Sequence, residues 1–109
     1  MRIANLALVT LALMGCPKQV DTRVAGSDDD QLTTYEARLE ELRAWASASA
    51  GELSCSDQCT LSTQTCDVAE GLCGVVARHP ARTDLPPRCA RARESCAERT
   101  DGCTRCRSH

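Results

Sequence analysis

The chain has 109 residues, 26% of them charged, a formal net charge of −2, nine cysteines and two aromatic residues. That length suits one small domain, and a charge so near zero lacks the overall basic excess that marks nucleic-acid binding, so no nucleic-acid partner is expected. Only 14 large apolar residues follow Cys16, too few for a hydrophobic core to order several helices unaided.

Arg2 precedes an apolar stretch over residues 3–14, which ends in Leu13-Met14-Gly15-Cys16. The stretch is too short to span a bilayer comfortably. A small residue directly before a cysteine, at the end of such a run, resembles the lipobox of bacterial lipoproteins. The resemblance implies cleavage before Cys16, a diacylglyceryl thioether on its sulfur and acylation of the new amino group, palmitate being the expected kind of chain. Residues 1–15 are then a signal peptide outside the fold. The protein is expected in the bacterial cell envelope, anchored through lipid on Cys16, with the outer membrane as its destination. The alternatives are a plain signal peptide with an incidental cysteine, or a membrane helix.

Residues 16–30 are expected to hold the lipidated cysteine and a flexible tether, because 17–30 is polar, contains Pro and Gly, and lacks periodicity. The folded domain is placed at 31–109. Helix 1 is expected over 33–50: Thr33-Thr34-Tyr35-Glu36 matches a capping box, and Leu32, Tyr35, Leu39, Leu42 and Ala46 recur at helical spacing with Trp45 at the edge. Gly51 is a natural break. Helix 2 is expected over 53–77, stopped by Pro80. Helix 3 follows Asp84 and runs to Cys106, with Pro86 and Pro87 tolerated in its first turn.

The cysteines supply the strongest signal. Cys73 and Cys89, Cys66 and Cys96, and Cys59 and Cys103 are each symmetric about residue 81, and Cys55 with Cys106 misses that symmetry by one position. The dominant step within each half is seven residues, which on a helix returns to nearly the same face. Neighbours on one stripe are about 10.5 Å apart along a helix and cannot bond. Two antiparallel helices about 10 Å apart bring the symmetric partners within disulfide reach. The expected fold is all-α: an antiparallel hairpin cross-linked by a four-rung disulfide ladder, with an additional amphipathic N-terminal helix. Such bonds persist in an oxidising compartment.

On helix 2, Leu61, Val68, Leu72 and Val75 fall opposite the cysteines, so helix 1 is the expected cover. Leu39, Leu42, Trp45, Leu61, Val68 and Leu72 form the candidate contact surface, used either internally or against a protein partner or second copy. Helix 3 is expected to expose Ala90, Arg91, Arg93, Ala97, Thr100 and Thr104, while Ala69 and Ala92 meet near the hairpin's centre. Residues 52–77 carry four acids and no base, and 88–107 carry six arginines and three acids. That asymmetry suggests either mutual complementarity of the two helices or an arginine face for anionic lipid or polysaccharide. Gly71 and Gly74 sit inside helix 2 at about 1 kcal/mol each relative to Ala.

Catalytic chemistry is not expected. Cys103-x-x-Cys106 lacks the βαβ context of a redox motif, and Arg107 stands where a c-type haem site needs His. Cys55, Cys59, Cys103 and Cys106 could gather as a four-thiolate zinc site, with two disulfides as the alternative. Cysteine stripes also resemble bacterial copper-storage proteins, whose free thiols select Cu(I). The one-for-one matching of cysteines departs from that pattern, and His79 and His109 are read as solvated. The whole pattern resembles small cysteine-rich lipoproteins of predatory and soil bacteria such as the myxobacteria, and shares the twin-helix disulfide idea with coiled-coil-helix domains. These resemblances imply an architecture and no known activity. The expected role is structural or protein-binding, without cofactor, and the rival is thiolate binding of copper or zinc.

Overall fold

The structure, a computed structural model, describes residues 23–49 and 51–108. The leader, Cys16, the tether as far as residue 22, and His109 lie outside the described residues. Three helices follow in order, α1 (Arg23–Ala48), α2 (Cys55–Ala77) and α3 (Pro86–Arg107), and no strand occurs among the described residues.

Local chemistry sets the ends of α2 and α3. The Ser54 hydroxyl accepts from the Asp57 amide at 3.0 Å, filling an open donor of the first turn, where the Asp57 carboxylate also suits the helix dipole. Gly51 adopts φ +83° between α1 and α2, a conformation other residues take only under strain. Pro86 and Pro87 occupy the first turn of α3, where a missing N–H costs nothing. Leu85, just before them, is fully buried and pins the returning chain to the core.

Four disulfides join α2 to α3: Cys55–Cys106, Cys59–Cys103, Cys66–Cys96 and Cys73–Cys89. Their Cα separations are 5.5, 4.6, 4.6 and 4.9 Å. Adding two helix radii puts the axes about 9–10 Å apart, the ordinary spacing of packed helices. Between the rungs the fillers are small: Ala69 and Ala92 are both buried, and the Ser62 and Thr100 hydroxyls lie 3.2 Å apart. The six α3 positions read as solvated are all exposed.

Helix α1 covers the side of this hairpin that carries the aliphatic stripe of α2. Leu32 and Leu39 join Leu72, Val75, Leu85 and Ala92 in one core, with Tyr35 and Val68 packed against it. The helix begins at Arg23, ten residues before its expected start. Thr33 therefore lies in mid-helix rather than at a cap, and residues 23–30 of the expected tether are helical. Ion pairs supply the reason. Asp28 and Asp29 meet Arg78, His79 and Arg82 in the turn between α2 and α3. None of the described helices is long and apolar enough to cross a membrane.

The two glycines of α2 have opposite surroundings. A Cβ on Gly71 would stand 2.6 Å from the Tyr35 ring, whereas one on Gly74 meets nothing within 4 Å. Gly71 is thus the close-approach point of α1 on α2, and Gly74 keeps only the helix-propensity penalty. Gly74→Ala should stabilise the fold by up to about 1 kcal/mol, and Gly71→Ala should destabilise it by about 1–3 kcal/mol through overpacking. Denaturant unfolding with the disulfides intact checks both signs.

Candidate functional site

Most of the sequence-derived contact surface is spent inside the fold. Leu39, Leu42, Leu61 and Leu72 are buried, and Trp45 and Val68 are half-buried. With α1 laid on α2, the stripe is used internally.

The cysteines are likewise consumed. Cys103 and Cys106 each bond across the hairpin rather than to each other. At the open end of the ladder the sulfurs of Cys55, Cys59 and Cys106 lie within 4.8 Å of one another, the gathering expected of a four-thiolate site. Here it arises from two stacked disulfides, which offer no thiolate.

Charge is arranged differently from the expected match between α2 and α3. Arg88 of α3 grips Glu36 of α1 with two bonds, Nε to Oε2 at 2.7 Å and Nη2 to Oε1 at 2.6 Å. His79 is a bonded residue rather than a solvated one: its Nε2 lies 2.7 Å from Asp28 Oδ2, and an ionised carboxylate can only accept, so the imidazole donates. Arg78 reaches the other oxygen of Asp28 at 3.2 Å. The hydrogen bonds from His79 and then Arg78 hold the Asp28 carboxyl below its ordinary range, and Arg88 does the same for Glu36. These contacts clamp the N-terminal half of α1.

Its other end borders a cleft of about 390 Å³ lined by all three helices and the α1–α2 connection, within the size range of small-ligand sites. Leu39, Ala46, Leu53 and Leu61 make an apolar wall. Thr65 lines the cleft, 2% exposed, and its hydroxyl, closed off from solvent, has no hydrogen-bond partner among the described residues. Its neighbour Thr63 makes the usual bond back to the Cys59 carbonyl, at 3.1 Å. A buried hydroxyl without a partner costs about 1–3 kcal/mol, so such a group calls for an explanation.

Two arginines line the same cleft. Arg43 is satisfied, by Glu40 at 2.7 Å and Ser95 at 3.1 Å. Arg99 is half-buried and makes no ion pair or hydrogen bond among the described residues. Spacing could not have revealed this cleft: Thr65 and Arg99 belong to no motif, and they stand together only because α2 and α3 pair across the hairpin beside α1.

No protein-family model matches this chain, and no curated protein or solved structure matches it significantly.

The ion pairs generate a pH dependence. Depressed carboxyl pKa values stabilise the fold above the ordinary carboxylate range, and that contribution is lost as the pH falls through the folded-state values. Below about pH 4 the amides around Asp28 and Glu36 should lose hydrogen-exchange protection, while the cross-linked amides of α2 near Ala69 keep theirs. Equal loss in both helices would show that these pairs do not hold α1.

Proposed function

We propose that this protein is a lipid-anchored component of the bacterial cell envelope with a structural or binding role and no catalytic one. One observation carries the reading. The eight cysteines of the described residues pair with one another across a single hairpin, which leaves Cys16, at the end of the apolar leader, as the odd one of nine. A fourfold disulfide ladder suits an exported protein, since such bonds persist outside the reducing cytoplasm. The remaining cysteine stands where the lipobox resemblance places the lipid. Anchoring then rests on the acyl chains of Cys16, two or three chains being enough for stable attachment.

The folded part offers a ligand or partner a rigid body whose own leucines are already covered. Its open features are the cleft at the far end of α1 and the exposed outer face of α3. The rival thiolate store for copper or zinc requires free thiols, and the pairing consumes all eight cysteines of the domain. In cells fed labelled palmitate, wild-type protein should carry label and sediment with the membrane fraction. Cys16→Ala should carry none and appear in the soluble fraction. A variant that stays with membranes would refute the lipid anchor.

A further inference from the structure

The cleft at the C-terminal end of α1, lined by apolar side chains and also by Ser47, Gln58 and Ser95, adjoins two polar groups that lack partners among the described residues. One is the Thr65 hydroxyl, closed off from solvent within the wall. The other is the Arg99 guanidinium, half-buried and without a counter-ion among the described residues. Each is unfavourable alone, because a polar or charged group withdrawn from water needs a replacement partner. Both line one cavity of about 390 Å³ whose wall is formed by Leu39, Ala46, Leu53 and Leu61.

The chemistry that answers the accessible group, Arg99, is narrow. A guanidinium presents a planar fork of donors that matches a carboxylate in geometry and charge. The apolar wall suits an aliphatic body. Glu98, exposed at the rim and free of any ion pair among the described residues, disfavours a second negative charge. The other cation of the site, Arg43, is already engaged by Glu40 and Ser95. We infer that the cleft binds a small monocarboxylate with an aliphatic body, Arg99 holding the carboxylate and the apolar wall holding the body. This rests on the reading of the protein as a binding component of the envelope and names the class of ligand it takes.

Isothermal titration calorimetry reads occupancy directly, with no reporter group in the cleft. Octanoate titrated into the full-length protein should give a saturable change. Arg99→Gln should weaken octanoate binding at least tenfold and leave binding of octan-1-ol, which has no charge, unaltered. Arg99→Lys should retain part of the affinity. Absence of a saturable response to octanoate would overturn the inference. So would equal affinity for octanoate and octan-1-ol, or an Arg99→Gln protein that binds octanoate like wild type. Any of these results leaves the palmitate label and membrane association of Cys16 untouched, so failure here is distinguishable from failure of the anchor.

Discussion

The distance between α2 and α3 is fixed covalently, and the rest of the fold depends on that distance. Four cross-links hold the two backbones 4.6–5.5 Å apart at the rungs, too close for large side chains between them. Alanine, serine and threonine fill the gaps, so the hairpin interface adds little apolar burial of its own. Covalency makes up the difference. A bond closing a loop of about 15 residues is worth roughly 3 kcal/mol of chain entropy, and the innermost bond spans 16. Each outer rung then closes only a short further segment, so the gains diminish outward.

Because the sulfurs take one face of α2, its leucines and valines are left for α1. That division explains why 14 large apolar residues suffice after Cys16: they serve one helix–helix contact instead of two. It also separates the molecule into a covalent part and a docked part. The hairpin cannot come apart without reduction. Helix α1 is held by its leucines, by Tyr35 over Gly71 and by ion pairs at Asp28, Asp29 and Glu36. These are interactions that pH and substitution can loosen.

What the sequence disclosed, and what it did not, follows from the range of the forces involved. The ladder was legible because sulfur pairing obeys strict distance rules and the cysteine positions are symmetric about residue 81. The aliphatic stripe of α2 was legible because helical periodicity is local. The true start of α1 was not: 23–30 has no periodic apolar residues, and its helix is held by a turn about 50 positions away. The Thr33 capping box misled for the same reason, since Glu36 was taken by Arg88 across the fold. That the Thr65 hydroxyl and the Arg99 charge find no partner among the described residues could not be read at all, because neither is a property of its neighbours in the chain.

The central claim is that the eight cysteines of the domain are scaffold, oxidised in four specific pairs. Intact mass of the native protein before and after reduction measures this directly. A gain of about 8 Da, one hydrogen per released thiol on the four bonds counted by ladder geometry, is the predicted result, with peptide mapping returning Cys55 with Cys106, Cys59 with Cys103, Cys66 with Cys96 and Cys73 with Cys89. An unchanged mass, free thiols in the native protein, or bound copper or zinc lost on acidification would contradict it.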